Sequence, residues 1–292
     1  MSFLNALFGG KQLSPEEEKQ EQEAKKFDLL KYDGVKAMKM GQADYAICCF
    51  TEALKLQDDL EVHDYLSQVL MQKGDMDEAV AELRILAEAE PKNAQIWIRM
   101  AQVAYMQEDY TTMSEACEQA MKSEPENAQV YFFSAQARLG RQDIVGAIAL
   151  LTKAIALQID YADAYLLRAQ MLLKMGDTAS ADDDAEWLLK HVGYNEDVLL
   201  LKARIETAMG NNEAAINMYN KVVEVNPFSI EAFRERGQLK FNAGDGVGAK
   251  QDMQMVLELD PQQLSDVNGE YSAEGIEQRV RQAYSAVNPL GL

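Results

Sequence analysis

A glutamine recurs at positions 68, 102, 136, 170 and 238, each 34 residues from the next apart from one skipped step, where Arg204 stands instead. A period of this length is the mark of a chain assembled from copies of one supersecondary unit, each burying its apolar face against its neighbours. Aligned on the period, the 292 residues contain seven units, 27–59, 60–93, 94–127, 128–161, 162–195, 196–229 and 230–263, the first one residue short. One position is small in every unit: Gly34, Ser67, Ala101, Ala135, Ala169, Ala203 and Gly237. Twelve residues later come Ala46, Ala79, Met113, Ala147, Ala181, Ala215 and Ala249, small in six of seven. Small residues on two paired helices let the axes approach toward the near end of the usual ~8–10 Å range.

Larger residues flank this seam at spacings of four, which keep them on one helix face. Four positions before the first small residue lie Leu30, His63, Trp97, Tyr131, Tyr165, Leu199 and Phe233. Four after the second lie Phe50, Leu83, Cys117, Leu151, Ala185, Tyr219 and Met253. Gly41, Gly74, Gly176, Gly210 and Gly244 punctuate the units internally, and Pro91, Pro125, Pro227 and Pro261 close four of them. The pattern resembles the tetratricopeptide repeat family, a 34-residue helix–turn–helix with W-x2-L-G-x2-Y, then A-x3-F, then P. The resemblance spans residues 27 to about 263. It implies an all-α, right-handed superhelical solenoid of antiparallel helix pairs. Two departures stand out. The family's tyrosine is replaced by Ala37, Leu70, Ala104, Arg138, Leu172, Glu206 and Lys240, and Ile159 and Gly193 occupy proline positions, which predicts irregular boundaries there.

The flanks read differently. Ser14-Pro15 followed by three glutamates is a helix start, with acids facing the positive helix end. One long helix is predicted from about Pro15 into the first unit, so the repeat region with this extension is 14–263. Residues 1–13 form a short apolar lead, read as flexible, with Phe3, Leu4, Leu7 and Phe8 on one face. Residues 264–292 are a linker, a capping helix with Ile276, Val280 and Tyr284 at spacing four, and a tail. Stacked arrays need such terminal caps.

The glutamine follows the small seam residue by one position, so it is turned about 100° from the seam. Ile98, Phe132, Leu166 and Leu200 share its stripe four residues before, and Tyr105 three residues after. The resemblance implies that this stripe lines a concave groove. The groove candidates are therefore Gln68, Gln102, Gln136, Gln170, Gln238, Arg204, Ile98, Phe132, Leu166, Leu200 and Tyr105. A side-chain amide both donates and accepts, so a row of them can meet a guest's peptide groups without reading its side chains. The same glutamines could instead bond a neighbouring helix, and the apolar set could pack between hairpins. Arg204 suits either a guest carboxylate or a local acid such as Asp197 or Glu206. The carboxylate clamp of chaperone-binding relatives is not present. Lys31 and Arg99 hold two of its positions, while Val35, Tyr65 and Gln95 hold the other three.

These features predict a non-enzymatic scaffold that holds a peptide or protein segment. The alternative is a peripheral membrane adaptor anchored by the apolar N-terminal segment. A formal charge of −20 and a pI near 4.5 argue against sequence-independent nucleic-acid binding, which needs phosphate-neutralising cations. Three cysteines, two of them adjacent (Cys48, Cys49 and Cys117), suit a reducing cytoplasm better than a disulfide framework. The N-terminal patch lacks the features of a signal peptide. "AGDGVGAK" at 243–250 fails the phosphate-loop spacing and reads as a hairpin turn. "DDDAE" at 182–186 reads as acids at the positive end of a helix rather than a calcium loop. His63 and His191, the only histidines, fall in different units, so no metal, cofactor or catalytic site is expected.

Overall fold

A computed structural model describes residues 14–260 and 275–276. The apolar N-terminal segment, and the expected capping helix apart from Gly275 and Ile276, lie outside the described residues. Fourteen α-helices and no strand are present among those described. They are α1 Pro15–Lys39, α2 Ala43–Leu54, α3 Leu60–Lys73, α4 Met76–Ala89, α5 Ala94–Met106, α6 Tyr110–Ser123 and α7 Ala128–Gly140. The others are α8 Ile144–Leu157, α9 Ala162–Lys174, α10 Thr178–His191, α11 Glu196–Ala208, α12 Asn212–Val225, α13 Ile230–Asn242 and α14 Gly246–Leu259. From α5 onward the first helix of each pair begins 34 residues after the last, without a break at Ile159 or Gly193. The helix starts keep their period at both places, and the irregularity is confined to the Gly193 turn, whose N–H donates to the Leu188 carbonyl. Gly193 supplies a left-handed turn (φ 90°) in place of proline.

Capping chemistry sets this regularity. The second helices start after Asp75, Asp109, Asp143, Asp177, Asn211 and Asp245, again 34 apart. In four of these the aspartate accepts from the backbone N–H three residues on: Thr112, Gly146, Ser180 and Gly248. Each such cap satisfies an otherwise orphaned donor and contributes about 1 kcal/mol. The residue just before each cap takes positive φ: Gly74, Glu108, Gln142, Gly176, Gly210 and Gly244. At α1 a capping box closes on itself, Glu17 N donating to Ser14 Oγ and Ser14 N donating to the Glu17 carboxylate.

The small-residue seam is the inner contact of the pairs. Ala46, Ala79, Met113, Ala147, Ala181, Ala215 and Ala249 are fully enclosed, as are Ser67, Ala101, Ala135, Ala169 and Ala203. Phe50, Leu83, Leu151 and Tyr219 fill the space beside them. At Gly34 the fit is close, because a Cβ there would sit 2.5 Å from the Phe50 ring. The chain divides into two compact bodies between Gln142 and Asp143. The N-terminal body has one core around Phe27, Phe50 and Val62 and another around Leu83, Ile96 and Val103. In the C-terminal body one core gathers Leu199, Tyr219 and Val222, and another Phe233, Met253 and Ile276.

Candidate peptide-binding groove

In the N-terminal body the stripe runs over α3, α5 and α7. Its first part is occupied by the protein's own charges. Lys31 holds Glu61 at 2.7 Å and Asp59 at 3.1 Å, and Tyr65 donates to Glu61 at 2.6 Å. Burial opposes the Lys31 charge, but these two carboxylates more than offset it and raise its pKa. Arg99 pairs with Asp64, which also accepts from Gln68 Nε2 at 2.8 Å. Both cations standing at clamp positions are thus neutralised by neighbouring helices.

The next part is open. Gln102 is half-buried, and its amide makes no hydrogen bond among the described residues; Tyr105 beside it is exposed. On α7, Phe132 is half-buried and stands edge-on to Phe133, ring centroids 5.9 Å apart. The Oε1 atom of Gln136 is buried with no donor. Burying an acceptor without a donor costs about 1–3 kcal/mol. Ile98 lies inside the core with Val103 and Met113, so it packs hairpin against hairpin and offers no free surface.

In the C-terminal body a cavity of about 340 Å³ opens on α9, α11 and the start of α13. Leu173, Leu200 and Leu201 form its floor, all three nearly enclosed by their own helices. Gln170 stands exposed at its lip with an unengaged amide, and Lys174, Asp197 and Glu231 add charge of both signs. Leu166, one turn before Gln170, is half-buried.

Two expected groove residues are otherwise employed. Arg204 reaches neither Asp197 nor Glu206. Its Nη2 and Nε donate to the Glu235 carboxylate at 2.8 and 3.0 Å, and Glu231 lies 3.5 Å away. Glu235 is buried and also accepts from the Tyr219 hydroxyl at 2.8 Å, so Arg204 is the counter-ion of an internal acid. Gln238 is buried, and its Nε2 donates to Asn242 Oδ1 at 3.0 Å. For Arg204 the physical reason is burial, since the Glu235 carboxylate cannot be left unmet away from water.

A second polar ladder went unread in the sequence. Arg168 clasps buried Asp184 through Nε at 2.8 Å and Nη2 at 2.6 Å, and Nη1 reaches Thr152 at 3.1 Å. Two repeats on, Arg236 clasps buried Asp252 in the same way, at 3.0 and 2.6 Å, and reaches Asn220 at 2.8 Å. Between them Lys202 gathers Asp182, Glu186 and Glu206 at 2.5, 2.7 and 3.0 Å. The acids of "DDDAE" therefore tie helices together. The signal was the cation at 168, 202 and 236, at the repeat period.

Residues 60–103 and 196–229 each match a family model of the tetratricopeptide repeat. These two stretches are tetratricopeptide repeats. Its fourteen described helices form an all-α helical-repeat solenoid. The structure is similar to a tetratricopeptide repeat protein from Parabacteroides merdae, with 14% identity, a TM-score of 0.67, and 88% of this chain and 98% of that one covered. It is similar to PilF of Pseudomonas aeruginosa, with 18% identity, a TM-score of 0.60, and 76% and 99% covered. It is also similar to YrrB, described as a tetratricopeptide repeat protein with an unusual peptide-binding site, with 13% identity, a TM-score of 0.52, and 61% and 92% covered. At such identities the likeness is one of fold. No curated protein matches the tetratricopeptide repeat chain in sequence. The repeat is a protein–protein interaction fold and is generally non-catalytic. Among the described residues no cluster could hold a metal ion, and no helix is long and apolar enough to cross a membrane.

Proposed function

We propose that this chain is a non-enzymatic scaffold whose first-helix faces hold an extended segment of a partner protein, and that it works in the cytoplasm. The observation that carries the reading is the division among the glutamines. Gln68 and Gln238 donate their amide N–H groups to acceptors on their own helices, whereas those of Gln102, Gln136 and Gln170 are given no acceptor by the described residues. An unengaged amide beside apolar surface suits a peptide: the amide meets the backbone, and the hollow over Leu173, Leu200 and Leu201 takes a side chain. The unusual peptide-binding site of YrrB is consistent with this use of the fold. Free thiols at Cys48, Cys49 and Cys117 suit a reducing compartment.

The test is selection from a displayed random-peptide library on the full chain, followed by titration of the selected peptides. Gln102→Ala/Gln170→Ala should weaken their binding by about tenfold, a loss of one or two hydrogen bonds, with the helical circular dichroism unchanged. Equal affinity for the folded variant would sink the reading.

A further inference from the structure

The other side of the N-terminal body carries a second furrow, which the peptide reading does not use. It runs between the second helices α4 and α6, over a floor supplied by α5. Two hollows, of about 510 and 370 Å³, share Arg84 and Thr112 in their walls and so lie side by side along the furrow. Val80 and Ala104 line the first hollow, and Ala87, Trp97, Met100 and Ala116 the second. Ala104 stands where the family pattern has a tyrosine, so no ring fills the first hollow. Trp97 is half-buried, its indole N–H bound to the Pro91 carbonyl at 2.9 Å and its ring left against the furrow.

The walls are acidic. Asp77 and Asp109 stand at one end and Glu88 and Glu115 along the other, against the single cation Arg84. Asp77 is engaged by Gln107 and Asp109 caps α6, but Glu88 and Glu115 have no ion pair or hydrogen bond among the described residues. Along α4 the two hollows are lined by Val80 and by Ala87, seven residues and so about 10 Å apart. That is the spacing of i and i+7 anchors on a guest helix, the mode in which an amphipathic helix lays its apolar face into a groove.

We propose that this furrow is a docking site for a basic amphipathic helix of a partner protein. Two apolar anchors enter the hollows over Ala104 and Trp97, and lysine or arginine side chains of the guest meet Glu88 and Glu115. The partner is defined by that charge and spacing, and the site is independent of the first-helix face.

Trp97 gives the assay. In a Trp187→Phe background it is the sole tryptophan of the full chain. The probe is a synthetic alanine-based helix of about 14 residues with leucines seven apart flanked by lysines, alongside a twin with glutamates for lysines. The lysine peptide should saturate a shift in Trp97 emission, and the glutamate twin should not. Glu88→Lys/Glu115→Lys should weaken binding by about tenfold, whereas Glu213→Lys/Glu224→Lys, the same charge change at exposed positions of the C-terminal body, should change it less than about twofold. Equal losses in the two variants would reduce the effect to the overall charge of −20 and overturn the site. So would binding of both peptides or of neither. Self-association that buries Trp97 without peptide, seen by sedimentation, would assign the furrow to a second copy of the chain and equally overturn it.

Discussion

The guanidinium of Arg204 lies fork-to-fork against the carboxylate of Glu235, 31 residues along the chain, with contacts of 2.8 and 3.0 Å. Glu235 is buried between α11 and α13, and burial together with that carboxylate pushes the neighbouring Tyr219 hydroxyl pKa upward. Removing one partner of such a pair leaves an uncompensated buried charge. Arg204→Ala should therefore cost about 3 kcal/mol in urea unfolding, and Arg204→Met/Glu235→Leu much less. A peptide selected on the wild type should bind both folded variants, since Arg204 serves the fold.

His63 gives a pH dependence. Its ring is held by Glu82 on Nδ1 and by Asp58 on Nε2 at 2.8 Å. Burial opposes its charge, but the two carboxylates outweigh burial and raise the pKa. Because the folded value lies above the unfolded one, the contribution is full below about pH 6.5 and fades as pH rises through the folded value. Differential scanning calorimetry between pH 6 and 9 should show the wild type losing thermal stability relative to His63→Gln as pH increases. Parallel curves would exclude the histidine as the cause.

Gly34 leaves no room for a methyl group against Phe50. Gly34→Ala should destabilise by about 1–3 kcal/mol through overpacking. Combined with Phe50→Leu it should cost less than the two single changes together, as expected for residues in contact.

Glu108 and Gln142 hold positive φ, 56° and 63°, where the equivalent residues are glycine. Glycine adopts this region without the Cβ clash that costs other residues about 1 kcal/mol or more, although it gives back part of the gain as unfolded-state entropy. Glu108→Gly should raise stability by up to about 1 kcal/mol in urea unfolding, and Glu108→Ala should not.

The thiols should separate by exposure. Cys48 is exposed, whereas Cys49 and Cys117 are buried, and burial pushes the Cys117 thiol up to about 11 against a weaker pull from Ser134. Brief iodoacetamide treatment at neutral pH should add a single adduct, which mass spectrometry places on Cys48. All three thiols should react in denaturant.

The fold was legible because it is written seven times. Recurring small residues and turn glycines mark the seam and the hairpins without any tertiary knowledge. Hydrogen-bond partners were less legible. Gln68, Gln102 and Gln238 occupy the same register, yet two have a nearby acceptor, at Asp64 and Asn242, and one has none. That difference lies in the i±4 neighbour, which the repeat does not conserve. Arg204 suits a guest carboxylate or a local acid such as Asp197 or Glu206 in the sequence; the acid it meets comes from the next repeat. The aspartate row at 75, 109, 143, 177 and 245 follows the same period, with Asn211 at the skipped step, but an aspartate before a helix does not by itself fix which N–H it caps.

Consider finally the helix starts of the C-terminal body, at 162, 196 and 230. With turn, cap and seam recurring in lockstep, excision of a 34-residue block rejoins like with like, as removing one carriage leaves a train still coupled. Tandem duplication would lengthen the array by the same rule, provided that pairs crossing between units, such as Arg204 with Glu235, are copied together with both members.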